Sequence, residues 1–199
     1  LSVRDKDGKL VFVSGRADDK GLVSVDSVLL QYGCLATEKN LQGFDYKQCY
    51  EPHRDVISSS EQIAIYESVL GDVNGNISYV LLHAAEYLKD NRIPPKGFSR
   101  SDVPANGATA ITGAATTDND FNTEVAASGS GQDTVHYQVD VSNHTGPYRI
   151  EAKLNYQSVR PGFVDSLHAE DHPRIARYKQ MYAAVPPMVE KLAEDDLTF

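Results

Sequence analysis

The chain has 199 residues and a net charge of −9, with 41% hydrophobic and 24% charged residues. This length suits one well-cored domain or at most two small ones, and the composition is that of a globular protein rather than a disordered one. The acidic charge disfavours a nucleic-acid binder, which needs clustered Lys and Arg, and no apolar run is long enough to span a bilayer.

The first predicted element is a β-hairpin at the start of the chain. Two apolar runs, Ser2–Arg4 and Lys9–Ser14, flank the acidic segment Asp5–Gly8. A short acidic segment that ends in Gly between two apolar runs is typical of a hairpin turn. No signal peptide precedes this hairpin, so we expect the chain to be a processed or excised part of a longer protein.

Cys34 and Cys49 bracket an irregular stretch that is rich in Gly, Tyr and charged residues. We predict that they form a disulfide, which would stabilise the fold by roughly 3 kcal/mol in the chain-entropy model. A disulfide would also place the chain in an oxidising compartment. Two buried free thiols are the alternative.

The middle of the chain predicts one strand, one helix and a long irregular stretch. Residues 62–70 are rich in β-branched and aromatic side chains, which favours a strand. After a turn at 72–76, apolar residues recur at helical spacing, so we predict a helix near 79–90. From 97 to 131 small and polar residues predict either a long loop or short strands joined by loops.

The last third of the chain predicts two strands followed by helices. Apolar and polar residues alternate over 134–141 and 148–156, and the turn residues between them predict an antiparallel pair. Pro173 after an acidic cap predicts a helix near 172–183, and a short acidic helix closes the chain. The economical architecture is an antiparallel β-sandwich, immunoglobulin-like or jelly-roll-like, over 1–160, with a C-terminal helical extension over 161–199 packed on it.

The usual signatures of catalysis are missing from the sequence. It contains no phosphate-binding G-x-x-x-x-G-K-[ST], no G-x-G-x-x-G, no G-x-S-x-G and no C-x-x-C. The acidic residues do not single out one general acid and base pair. We therefore predict that the chain is not an enzyme, and because C-x-x-C-H is also missing, that it attaches no haem covalently.

His53 is the histidine with the clearest ligand character. It lies between Pro52 and Arg54, four residues after Cys49, on a segment that the proline makes rigid. A neutral imidazole on a rigid loop suits axial ligation of a haem or another metal, provided that its second nitrogen has an oriented partner.

Asp118, Asp120 and Asp133 are the candidate metal ligands. Asp118 and Asp120 flank a single Asn, and Asp133 follows about a dozen positions later. Hard oxygen donors of this kind suit Ca²⁺, especially outside the cell, where weak sites suffice. Empty turns rich in Asp and Asn have the same pattern, so that alternative stays open.

Several segments together resemble one bacterial family, in the order in which they occur along the chain. They are Val3–Gly15, Glu51–His53, Gln62–Glu67, Tyr87–Phe98, Asp118–Phe121, Asp133–Tyr137 and Ala152–Ser158. This set resembles the non-haem β-rich domain that follows the haem-binding part of certain secreted multihaem c-type cytochromes and related proteins. The resemblance spans roughly residues 1–160 and is weaker toward the C-terminus.

The resemblance implies a periplasmic or extracellular β-sandwich that supports electron transfer as a non-catalytic structural or docking domain. Its partner would be the haem-binding part of the same parent protein or a partner cytochrome, and His53 would reach the haem of that neighbour. The alternative is a secreted carbohydrate- or surface-binding β-sandwich module that Ca²⁺ stabilises, an argument from fold analogy alone. The absence of Trp weakens this alternative, because flat sugar-binding platforms favour the larger indole ring.

Overall fold

The computed structural model describes residues 1–16, 50–60, 62–99, 111–124 and 127–199. Strand residues outnumber helical ones, which confirms the prediction of a β-rich chain with few helices. The described residues fall into two compact units. We call them the terminal unit, which contains 1–16, 59–60, 62 and 139–199, and the central unit, which contains 50–58, 63–99, 111–124 and 127–138.

The strands are short in the central unit and longer near the C-terminus. In chain order they are β1 (Ser2–Arg4), β2 (Leu10–Val13), β3 (Val56–Ile57), β4 (Ser68–Gly71), β5 (Glu86–Asp90), β6 (Thr123–Glu124), β7 (Ala127–Ser128), β8 (His136–Tyr137), β9 (Arg149–Tyr156) and β10 (Glu190–Thr198). The α-helices are α1 (Pro161–Ala169) and α2 (Pro173–Ala184). Among the described helices, none combines the length and the apolar character that crossing a membrane requires.

The terminal unit is built on a four-stranded antiparallel sheet in the order β10-β9-β1-β2. The predicted hairpin of β1 and β2 is confirmed. Its turn is held by Asp5, whose Oδ1 accepts the backbone N–H groups of Asp7 and Lys9 at 3.0 Å each. Val3 and Phe12 are buried, so the hairpin supplies part of the core of this unit.

The helix predicted near 172–183 is confirmed as α2, with its start defined by local chemistry. Pro173 occupies the first turn, where its missing N–H costs nothing. The N-cap is His172, whose Nδ1 accepts the backbone N–H of Arg174 at 3.2 Å, rather than an acidic residue. His168, in the last turn of α1, stacks against Tyr178 and Tyr182 of α2.

The central unit consists of three two-stranded sheets around a small apolar core. β4 pairs with β5 and β6 with β7 in antiparallel fashion, whereas β3 and β8 are parallel. The core side chains are Ile57, Ile63, Val69, Ala115 and Phe121, all at most 5% exposed. Much of the rest of this unit is loop, and its irregular backbone brings together side chains that are far apart in the sequence.

The prediction of a helix near 79–90 is wrong. Only Leu81–His83 forms a single 3₁₀ turn, and Glu86–Asp90 is strand β5. The carboxylate of Asp72 accepts the N–H groups of Asn74 and Asn76, and this tight turn directs the chain back along β4. Helix propensity is worth only tenths of a kcal/mol per residue, so pairing with β4 outweighs it.

The predicted antiparallel pair of 134–141 and 148–156 is also wrong. In the first segment only β8 is strand, and it pairs with β3 of the central unit, while β9 pairs with β1 and β10. The connecting residues lie against the β1–β2 turn, since Lys6 N–H donates to the Thr145 carbonyl at 3.2 Å. β9 therefore takes its partners from both ends of the chain.

The predicted acidic helix at the C-terminus is strand β10 instead. It pairs with β9 along its length, and opposite charges face each other across the pair, with Lys153 Nζ 3.0 Å from Glu194 Oε1. These cross-strand contacts favour strand over the helix that Glu, Lys, Leu and Ala would form alone. Residues 161–199 are thus helical only in α1 and α2, while the domain boundary at 160 stays a prediction.

Two further predictions concern the β-sandwich and the disulfide. The described sheets are open, and a β-sandwich in the immunoglobulin or jelly-roll sense stays a prediction. Cys34 and Cys49 lie outside the described residues, so the predicted disulfide stays a prediction as well.

Candidate functional site

His53 lies in the central unit on the loop that leads into β3. The adjacent Glu51 is 1% exposed, and its Oε1 accepts from Arg54 Nε at 2.6 Å and from the Ile63 backbone N–H at 3.2 Å. These charge-assisted hydrogen bonds fix the loop on both sides of the imidazole. Phe121 packs edge-on against the imidazole, with ring centroids 5.1 Å apart. His53 is therefore held in one orientation and is only 8% exposed.

The tautomer of His53 follows from the side chain of Asn91. The Asn91 oxygen accepts from the Glu67 N–H at 2.9 Å, and its amide nitrogen donates to the Ile65 carbonyl at 2.9 Å. The same nitrogen lies 3.1 Å from His53 Nδ1 and must donate to it. Nδ1 is thus an acceptor, and the proton of the neutral ring is on Nε2.

Asp118 receives that proton's hydrogen bond. His53 Nε2 lies 2.7 Å from Asp118 Oδ2, and both side chains are 3% exposed. Asp118 Oδ1 accepts the backbone N–H groups of Asp120 and Phe121 at 3.0 and 3.3 Å. Burial alone would raise the pKa of Asp118, but the hydrogen bonds from His53 and Asp120 bring it below the usual value.

Asp133 brings a second carboxylate, which is half-buried, to the same place. Its Oδ2 accepts from the Tyr66 hydroxyl at 2.6 Å, and its Oδ1 accepts from the Thr134 N–H at 3.0 Å. Burial and the hydrogen bond to Asp133 raise the pKa of Tyr66, so the phenol stays a donor. Tyr66 therefore orients the carboxylate of Asp133 as Asn91 orients the imidazole of His53.

These residues form the first of two donor groups, which we call the inner group: His53, Asp118 and Asp133. One nitrogen or oxygen from each residue lies within 4.8 Å of the others. The separation of 65 positions between His53 and Asp118 shows that folding, not local sequence, assembles the group.

The second set, the outer group, consists of Asp55, Asp120 and His136, with one potential ligand atom from each within 4.8 Å of the others. The parallel pairing of β3 with β8 positions two of them, because the His136 N–H donates to the Asp55 carbonyl at 2.7 Å. Asp55 and His136 are exposed and Asp120 is half-buried. Within the described part of the chain, Asp120 Oδ1 is buried and has no hydrogen-bond partner.

The two groups adjoin through Asp118 and Asp120. Burial raises the pKa of Asp120, and a hydrogen bond with the Asp118 side chain raises it further, as do the nearby charges of Asp118, Asp133 and Asp55. Four carboxylates and two imidazoles therefore lie in one continuous polar region of the central unit. Carboxylates crowded in this way repel one another unless a proton or a cation intervenes.

The structure divides the predicted ligand residues between the inner and the outer group. The predicted calcium ligands Asp118 and Asp133 lie together with His53, which was predicted separately as a haem ligand, whereas Asp120 belongs to the outer group. Sequence reasoning did not identify Asp55, Tyr66, Asn91 or His136 as site residues. The spacings His53-x-Asp55 and Asp133-x-x-His136 were the available signal, but each is common in proteins without a site.

The donor types indicate which cations fit. Ca²⁺ and Mg²⁺ take oxygen ligands, whereas a set of imidazole nitrogen and carboxylate oxygens suits Mn²⁺, Fe²⁺, Co²⁺ or Zn²⁺. Each group offers one imidazole and two carboxylates. Both groups therefore match a divalent transition metal better than the predicted calcium.

No protein-family model, curated protein or solved structure is significantly similar to this chain. We therefore infer function from the side chains of this protein and their geometry.

Proposed function

We propose that this chain is a non-catalytic binding domain whose central unit is stabilised by a divalent transition-metal ion at the inner group. The observation that carries the proposal is the convergence of His53, Asp118 and Asp133, whose donor atoms lie within 4.8 Å of one another. Such an ion would link three loops that are distant in the sequence. Its binding free energy would add directly to the stability of the fold.

The contacts around the inner group support this role. Metal-binding histidines commonly use their second nitrogen for a hydrogen bond that fixes the ring, and Asn91 supplies that bond to His53 Nδ1. The other ring nitrogen, Nε2, donates its proton to Asp118 Oδ2 at 2.7 Å. A metal ion would replace this proton and take both atoms as ligands. Tyr66 would hold Asp133 as the third ligand.

Burial favours a structural ion over a catalytic one. The side chains of His53 and Asp118 are each 3% exposed, and the Phe121 ring covers one side of the imidazole. A catalytic ion keeps an accessible position for water or substrate, whereas a structural ion is enclosed by protein. His53 and Asp118 match the enclosed arrangement, and Asp133 is half-buried.

The test is metal titration of the full chain after chelation. Zn²⁺ and Mn²⁺ are each added to the metal-free protein, with Ca²⁺ as the comparison, and binding is followed by calorimetry and thermal unfolding. At a hundred times Kd a single ion adds about 2.7 kcal/mol, which raises the Tm by about 5–10 °C. We expect this increase with Zn²⁺ or Mn²⁺ and not with Ca²⁺.

A matched pair of variants assigns the effect to the inner group. His53→Asn removes a ligand, whereas His144→Asn alters a histidine that is also paired with a carboxylate, Asp5, at 3.1 Å but lies in neither donor group. We expect the metal-dependent rise in Tm to be clearly smaller in His53→Asn than in the wild type, and to be unchanged in His144→Asn. A wild-type chain that no transition metal stabilises, or equal responses in the two variants, would contradict the proposal.

For the biological setting of the domain, we propose docking onto a haem-bearing partner in the periplasm or outside the cell, as the cytochrome resemblance implies. The terminal unit favours docking, since it exposes large apolar side chains: Leu154, Met181, Val185, Met188, Leu192 and Leu197. Extended exposed apolar surface marks interaction sites. Direct ligation of the partner's haem by His53 is disfavoured, because its ring is buried within the central unit.

Native purification separates docking from the alternative of carbohydrate binding. Co-purification of a haem protein would give a Soret absorption band that is lost when Leu192→Lys and Leu197→Lys are combined. Retention on a polysaccharide column, together with a haem-free spectrum, would contradict docking and favour the carbohydrate-binding module.

A further inference from the structure

The outer group contains a buried oxygen that the described residues do not satisfy. Asp120 Oδ1 has no hydrogen-bond partner there, although it is shielded from solvent. A buried carboxylate oxygen without a donor or a cation is costly, and native proteins rarely keep one. Asp55 and His136 each place a ligand atom within 4.8 Å of the Asp120 carboxylate. A cation bound by all three would satisfy the orphaned oxygen.

The backbone prepares these residues for binding. The parallel pairing of β3 and β8 fixes Asp55 and His136 side by side, through the His136 N–H to Asp55 carbonyl bond at 2.7 Å. Asp120 is held by its own N–H, which donates to Asp118 Oδ1 at 3.0 Å. The donors therefore come from strand β8, from the residue directly before its partner strand β3, and from one anchored turn, and little ordering is left for an ion to impose.

Charge gives an independent reason for a second ion. The two groups together hold four carboxylates. One divalent ion at the inner group would balance only part of this charge. A second divalent ion beside it would balance the rest.

We infer that the outer group binds a second divalent transition-metal ion, so that the central unit holds a two-ion centre with Asp118 and Asp120 between the ions. The inference rests on the proposed function for its first ion. The second ion differs from the first in access, because Asp55 and His136 are exposed. It keeps coordination positions open to water and exchanges faster than the enclosed ion.

The test counts ions bound to the full metal-free chain, with MnCl₂ as the probe. Calorimetry gives the stoichiometry, and electron paramagnetic resonance detects the magnetic coupling of two neighbouring Mn²⁺ ions. We expect two ions per wild-type chain and a coupled spectrum. His136→Gln should bind one ion with an uncoupled spectrum, and His83→Gln, an exposed histidine outside both groups, should behave as wild type.

The outcomes distinguish the two claims. One ion in the wild type and one in His136→Gln would overturn the second ion and leave the inner site standing. No ion in the wild type would overturn both. Asp55→Asn provides a second variant at an exposed position, and it must also reduce the count from two to one. A count of two in that variant would contradict the outer group.

Discussion

The two units of the molecule place their polar and apolar side chains in opposite ways. The central unit buries polar and charged groups, among them Glu51, His53, Lys89 and Asn91, none more than 8% exposed. The terminal unit buries few side chains, and every residue of β10 is exposed. The first arrangement stabilises through hydrogen bonds that must all be satisfied, whereas the second depends on strand pairing and leaves large apolar side chains exposed.

Because of this difference, we expect substitutions to cost more stability in the central unit than in the terminal unit. In the central unit, removal of one partner from a buried network leaves other groups without their donors or acceptors, which costs more than the bond itself contributed. In the terminal unit, solvent replaces most lost contacts. Matched substitutions in the two units therefore test whether stability depends on buried side chains more in the central unit than in the terminal unit.

The largest difference is expected between two lysines. Lys89 is 1% exposed, and its Nζ donates to the carbonyls of Glu51 and Ile65 at 2.6 and 2.8 Å. Lys89→Met should lower the free energy of unfolding by about 3–5 kcal/mol, because both carbonyls lose a charged donor in the interior. Lys153→Met removes an exposed lysine and should cost far less. Urea denaturation measures both, and similar losses would contradict the buried role of Lys89.

Two apolar residues of similar size give the next contrast. Ile57 is fully buried in β3, while Leu197 in β10 is 60% exposed. Ile57→Ala should cost about 2–5 kcal/mol through lost burial and a new cavity. Leu197→Ala should change stability by no more than about 0.5 kcal/mol. A large loss at Leu197 would show that β10 is covered in solution, for example by a second copy.

Two glycines share a backbone conformation but differ in their surroundings. Gly8 has φ +77° with open space around it, so Gly8→Ala should cost only the left-handed strain of about 1–2 kcal/mol. Gly131 has φ +70°, and a Cβ there would lie 2.8 Å from the Lys96 backbone nitrogen. Gly131→Ala should therefore destabilise the chain more than Gly8→Ala in thermal unfolding. Equal shifts in Tm would contradict the close packing at Gly131.

The smallest effect is a pH dependence in the terminal unit. The hydrogen bond with His144 lowers the pKa of Asp5, and backbone N–H groups of the turn lower it further. A depressed pKa contributes stability above the unfolded value that is lost as pH falls through the folded value. Asp5→Asn should flatten the acid limb of stability against pH. Asp7→Asn, which alters an exposed carboxylate of the same turn, is the matched control, and equal flattening in the two variants would contradict the role of Asp5.

Local chemistry explains which elements the sequence predicted. The β1–β2 hairpin follows from Asp5 and Gly8 in one turn, and α2 follows from Pro173 after a capping residue. Both signals act within a few residues. Three predictions failed for another reason, those at 79–90, at 134–141 and at the C-terminal acidic segment. Strand partners distant in sequence, namely β4, β3 and β9, decide the structure of these segments.

The candidate site was predictable in its residue types and not in its arrangement. Carboxylates at Asp118, Asp120 and Asp133 and an imidazole at His53 were visible as donors in the sequence. Their division into two groups depends on β3–β8 pairing and on Asn91, whose role is set by contacts with Glu67 and Ile65. An Asn directly after a predicted helix carries no sign of such a role.

The position of β10 at the outer edge of the described sheet has a consequence for behaviour at high concentration. An edge strand offers unpaired backbone groups to any other chain, and apolar edges invite fibrous assembly. Glu190, Glu194, Asp195 and Asp196 place repelling negative charge along this edge. Charge along an edge strand disfavours pairing with other chains, so these four residues oppose edge-to-edge association of the sheet.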